Sequence, residues 1–146
     1  MTHSFFWPTI LLLAGFVLLS ACGPQPDESL SEGEVPAEVN VANLAPSIDV
    51  QTAAALLDND DVVFLDVREQ WEYDQGHIPG ITLIPMSEFE ARVSEVPEDK
   101  TVILTCRSGN RSGQVDTYLR GLGYDNIHNM EGGIIAWEAA GLEVVR

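Results

Sequence analysis

The sequence predicts an α/β fold with a central parallel β-sheet flanked by helices. Two observations carry that prediction. "VVFLDV" (62–67) and "TVILT" (101–105) are apolar and β-branched along most of their length, as strands covered on both faces are. Between and after such runs lie segments whose apolar residues recur at helical spacing, and strands that alternate with helices build parallel sheets.

The elements follow in order. "SIDVQTAAALLDND" (47–60) starts extended and continues as a helix with Ala and Leu at helical spacing. "VVFLDV" is the first long strand, and "EQWEYDQGHIPG" (69–80) holds a short helix and a turn. "ITLIP" (81–85) is a short strand, and "SEFEARVSEV" (87–96) is a helix with Ser87 as its N-cap. "TVILT" is the second long strand. "SGQVDTYLRGLG" (112–123) is a helix that sets Val115, Tyr118, Leu119 and Leu122 on one face and ends near Gly121 or Gly123. "NIHNM" (126–130) is the last strand and "GGIIAWEAAGL" (132–142) the closing helix. Ligands of such folds bind at the carboxyl ends of the strands, and Cys106 directly follows one of them.

The 146 residues suffice for one domain with a core plus some unstructured length. Asp and Glu number 23 against 7 Lys and Arg, a formal net charge of −16. A surface this acidic is repelled by nucleic acid, so no nucleic-acid partner is expected. Two cysteines, Cys22 and Cys106, make neither a disulfide framework nor a thiolate zinc site. His3, His77 and His128 are scattered without metal-ligand spacing. No metal and no cofactor are expected.

The amino terminus reads as an address. "FFWPTILLLAGFVLL" (5–19) is almost wholly apolar but shorter than the roughly 20 residues a membrane-spanning helix needs. Small residues and a polar segment follow it, the layout of a cleaved export signal. Leu19, Ser20, Ala21 and Cys22 resemble a bacterial lipobox, in which the cysteine receives the lipid before cleavage. The resemblance implies a lipoprotein-type signal over 1–21, lipidation at Cys22, and an exported lipoprotein anchored to a membrane of the bacterial cell envelope. The alternative is an uncleaved anchor. Cys22 and the segment up to Pro46, "GPQPDESLSEGEVPAEVNVANLAP", read as a disordered, acidic, Pro-rich tether (22–46) without an aromatic or basic residue. The domain is then 47–146.

"CRSGNRS" (106–112) carries the chemistry. A strand feeds a small polar loop, and the loop feeds a helix from about Ser112. Gly109 opens backbone angles closed to other residues. Successive loop amides can curl around the sulfur as a nest does around an anion. The following helix adds its positive end, and Arg107 and Arg111 add full charges. Each influence favours the thiolate, which is the nucleophile. The same features would hold an oxyanion beside the sulfur.

Three stretches together resemble the rhodanese domain family. "LDVREQWEYDQGHIPGI" resembles its amino-terminal signature, "CRSGNRS" its active-site loop, and "MEGGIIAW" its carboxy-terminal element. They occur in the family's order and span 47–146. The resemblance implies a rhodanese-like three-layer fold and a sulfurtransferase of the thiosulfate type. Cys106 would take the outer sulfur of thiosulfate or a similar small anionic donor as a persulfide. A nucleophilic acceptor, cyanide or a thiol, free or on a protein, would then remove it. Arg107, Ser108, Gly109, Asn110 and Arg111 would cradle the persulfide and bind the donor. Asp66, Arg68 and Ser112 would support the loop and the neighbouring turn. His77 would hold the turn rather than act as a base, and Gly132, Gly133 and Trp137 would serve helix packing.

Two other readings use the same residues. A cysteine phosphatase or arsenate reductase also employs a cysteine, loop amides and an arginine, but with a loop one residue longer between them. Here only Arg107, Ser108, Gly109 and Asn110 intervene, a space that suits a sulfur atom better than phosphate. A non-enzymatic binding or sulfur-relay module is the third reading, since fold membership alone does not establish activity.

Overall fold

The computed structural model describes residues 39–146. The expected signal, the Cys22 lipidation site and most of the tether lie outside those residues. The elements are β1 (Ser47–Ile48), α1 (Val50–Ala54), β2 (Val62–Asp66), α2 (Gln70–Gln75), β3 (Thr82–Leu83), α3 (Phe89–Arg92), β4 (Thr101–Thr105), α4 (Asn110–Gly121), β5 (Ile127–Met130) and α5 (Gly133–Ala139). All five strands are parallel, in the order β1-β5-β4-β2-β3. The long strands β2 and β4 pair side by side in the interior of the sheet, in register from Val62 opposite Thr101 to Asp66 opposite Thr105. Their apolar sequences follow from that position, because helices cover both faces.

Alternation along the strands divides the core in two. Leu65, Val102 and Leu104 face one cluster with Phe89 of α3 and Val115 and Leu119 of α4. Phe64 and Ile103 face the other, with Ala53 of α1 and Trp137 of α5. The result is the three-layer α/β arrangement expected from the sequence. Asp49 caps α1 by accepting the Thr52 amide at 2.8 Å.

Four local expectations are corrected. The tether does not run to Pro46: Val39, Val41 and Leu44 pack against the second cluster, and the carbonyls of Ala45 and Pro46 accept from His128 Nδ1 and the Asn129 amide. The polar average of 22–46 hid three apolar side chains at its end. Ser87 does not cap a long helix. Its amide and hydroxyl both donate to the Glu69 carboxylate, and α3 is a single turn that passes into a 3-10 turn over Val93–Glu95. Helix α4 begins at Asn110 rather than Ser112, because Gly109 turns the chain at a φ of 90° one residue earlier. Its buried side is Ser112, Val115 and Leu119. Tyr118 and Leu122 are exposed, since Leu122 falls past the last helical residue and the buried stripe is narrow.

Candidate active site

Cys106 leaves β4 at its carboxyl end, where the switch from strand to helix places the loop. The residue is 1% exposed. The Gly109 amide donates to Sγ at 3.1 Å. Ser112 Oγ lies 3.4 Å from Sγ and 3.1 Å from the Gly109 carbonyl oxygen. One hydroxyl proton serves one acceptor at a time, and a thiolate is the stronger competitor. Burial pushes the thiol pKa up, but the Ser112 hydroxyl and the amides of Ser112, Ser108 and Gly109 pull harder, and the net effect is below its usual 9.0. The pocket is thus built to hold a charged sulfur.

The loop depends on a partner remote in sequence. A Cβ on Gly133 would sit 2.4 Å from the Cys106 carbonyl oxygen and 2.6 Å from the Arg107 carbonyl carbon. The Ile134 amide donates to the Cys106 carbonyl at 2.9 Å and the Ile135 amide to that of Arg107 at 3.2 Å. The first turn of α5 therefore ties down the start of the loop, and only glycine permits the approach. Gly133, expected to serve helix packing, belongs to the site. Trp137 fits that expectation: it is buried in the second cluster, with Nε1 donating to the Glu143 carbonyl at 2.8 Å.

The two loop arginines part company. Arg107 is exposed and lines an open cleft of about 550 Å³ with Trp71, Gln75, Ile134 and Ile135. Arg111 turns to α2, where its Nη1 and Nη2 donate to Glu72 Oε2 and Oε1 at 2.6 and 2.7 Å. That bidentate pair holds the Glu72 carboxyl below its usual value, against the opposing pull of burial. Glu72 escaped the sequence reading because the pair joins residues 39 positions apart. The only local hint was an acidic residue at a helix start.

Asp66 and Arg68 meet in a buried ion pair of 2.7 Å. Arg68 also donates to the carbonyls of Glu72 at 3.3 Å and Gly76 at 2.8 Å. It thereby fixes the chain that carries Glu72. His77 donates from Nδ1 to the Tyr73 carbonyl at 3.0 Å and stacks on the Tyr73 ring at a centroid distance of 3.7 Å. Its backbone pairs with Val145. None of these contacts reaches Cys106. Ser108 and Asn110 are exposed on the loop, Ser108 contributing its amide to the sulfur's environment. Among the described residues no cluster of three or more His, Cys, Asp or Glu could hold a metal ion.

An α/β domain with one buried, anion-stabilised thiol at a strand end defines the class. Residues 49–140 match the rhodanese-like domain family. A sulfurtransferase of Allochromatium vinosum is 44% identical over 90 residues, which cover 62% of this chain and 84% of that protein. A thiosulfate sulfurtransferase of Pseudoalteromonas translucida is 35% identical over 98 residues, 67% of this chain and 93% of that one. A rhodanese-related protein from Thermoplasma volcanium has a similar structure, with a TM-score of 0.61 at 37% identity over 69% of this chain and 98% of the other. The chain belongs to the rhodanese-like domain family.

Proposed function

We propose that the domain is a sulfurtransferase that carries sulfane sulfur as a persulfide on Cys106. The observation that carries the reading is the sulfur's environment: a buried Sγ that accepts the Gly109 amide and faces the Ser112 hydroxyl, with its pKa lowered despite burial. The relatives described as sulfurtransferases support it. The thiolate attacks the outer sulfur of thiosulfate. The bond from that sulfur to the sulfonate breaks, sulfite departs with the electron pair, and Cys106 holds a persulfide anion. The donated amides and hydroxyl then serve the terminal charge, as they served the thiolate. A thiol or cyanide attacks the terminal sulfur in the second step, and the Cys106 thiolate leaves.

Incubation with thiosulfate is expected to raise the protein mass by one sulfur atom, and Cys106→Ser to abolish the gain. A wild-type mass unchanged under thiosulfate and other sulfane donors would remove the basis of the reading. A sulfur relay to a protein acceptor is the second reading. Trp71 and Ile135, 63% and 49% exposed, stand at the cleft beside Arg107 and provide apolar surface for such a partner. The export signal and Cys22 anchor remain part of the proposal. Cys22→Ser is expected to move the protein from the membrane to the soluble fraction, and retention would favour an uncleaved anchor.

A further inference from the structure

Arg111, in the first turn of α4, is the arginine nearest in the chain to the Cys106 loop after Arg107, and a free guanidinium there would be available to a tetrahedral oxyanion. Guanidinium forks match phosphate and arsenate bidentately, and that geometry gives them their preference. Here both terminal nitrogens are already engaged by the two oxygens of one carboxylate, at 2.6 and 2.7 Å. The carboxylate is itself held in place. Glu72 Oε2 accepts the Glu69 amide at 3.1 Å, the Glu72 carbonyl accepts from Arg68, and Arg68 is locked on Asp66. Glu72 is only 10% exposed in its side chain and Arg111 29%, so water competes weakly for the pair. Arg107, by contrast, makes no ion pair among the described residues and opens onto the cleft.

We infer that Glu72 is a positioning residue for substrate choice: it occupies the Arg111 fork, denies it to phosphate-like oxyanions, and leaves Arg107 to attract the anionic sulfur donor. The inference rests on the proposed sulfur transfer only in naming the donor that is admitted. The clamp adds a second barrier to phosphate chemistry, besides the short loop. It also explains why a site with two arginines need not bind every small oxyanion around it. The pair stands next to the sulfur's own ligands in the chain: Arg111 lies between Gly109, whose amide donates to Sγ at 3.1 Å, and Ser112, whose hydroxyl lies 3.4 Å from it.

The test is the rate at which iodoacetamide, a neutral reagent, alkylates Cys106, followed by mass spectrometry of the Cys106 peptide with and without inorganic phosphate at matched ionic strength. Phosphate should leave the wild-type rate nearly unchanged. In Glu72→Gln it should slow alkylation on the order of fivefold, as expected when a charge-assisted bond becomes available to the anion. Adding Arg111→Gln to Glu72→Gln should remove the protection. Glu72→Asp keeps the carboxylate but is one methylene shorter and draws back from Arg111; it should give intermediate protection, and it decides the matter if Glu72→Gln does not fold. Equal protection of wild type and Glu72 variants, or protection that survives loss of Arg111, overturns the inference. Sulfur loading from thiosulfate is measured separately, so a failure of the sulfurtransferase reading leaves the phosphate comparison legible.

Discussion

Arg107, in the loop after Cys106, and Arg111, in the first turn of α4, carry the same charge four residues apart, yet they have different partners. Arg107 faces the open cleft beside Trp71 and Ile135. Arg111 is partly buried and is spent on Glu72 of α2. The inner wall of the loop is a rigid construction of amides, a hydroxyl and a clamped ion pair. The outer rim is exposed and adaptable. The difference shows that residue type at a site does not define role: the partner does. A guanidinium forked onto a buried carboxylate organises the loop, whereas one in water recruits anions through its field.

The sharpest way to break the inner wall is at Gly133. Its φ of 57° and the 2.4 Å approach of the Cys106 carbonyl leave no room for a methyl group. Gly133→Ala should cost at least about 2 kcal/mol, a steric clash added to left-handed strain of roughly 1–2 kcal/mol, and should abolish sulfur loading. Gly141→Ala is the control. It has a similar φ of 74° but open space around the added carbon, so urea denaturation should show the strain alone and loading should survive.

The arginines give the next contrast. Arg111→Gln leaves a mostly buried Glu72 carboxylate without its cation and should lower stability by about 1–3 kcal/mol. Arg107→Gln should stay within about 0.5 kcal/mol of wild type and raise KM for thiosulfate instead. The stability difference has a pH sign. The folded Glu72 pKa lies below its usual 4.5, so the pair's contribution is fully present above that value and is lost as pH falls through the lower folded pKa. Urea midpoints of wild type and Arg111→Gln should therefore converge at strongly acidic pH. Divergence there would mean that Arg111 acts through contacts other than Glu72.

The smallest effect is expected at Ser112. Its hydroxyl favours the charged sulfur, so Ser112→Ala should move the pH midpoint of Cys106 alkylation upward while it remains thiol-dependent. In the wild type, reactivity should rise with pH through a midpoint below the usual 9.0. An unshifted midpoint in the variant would assign the effect to the backbone amides of Ser108, Gly109 and residue 112, which the substitution leaves in place.

Much of this architecture was legible in the residue order. β2 and β4 declared themselves as buried strands because helices on both faces demand unbroken apolar runs. The shape of the Cys106 loop was legible too, because strand, glycine and helix start lie within a few residues of one another. Boundaries were less so. Ser87 looks like a cap until Glu69, from a distant turn, takes its amide and hydroxyl. Val39, Val41 and Leu44 look like tether because the composition around them is acidic and Pro-rich, and only a neighbouring core shows where they go.

The sequence by itself determined the α/β class, the place of Cys106 at a strand end, and the turn that Gly109 makes around it, since all three rest on local periodicity and backbone freedom. Tertiary structure alone decided that Gly133 underlies the loop and that Arg111 is clamped while Arg107 is not. Those facts depend on which distant residues meet when the sheet closes. Glu72 and Gly133 reach the loop from α2 and α5, and no short-range pattern records an encounter between elements so far apart along the chain.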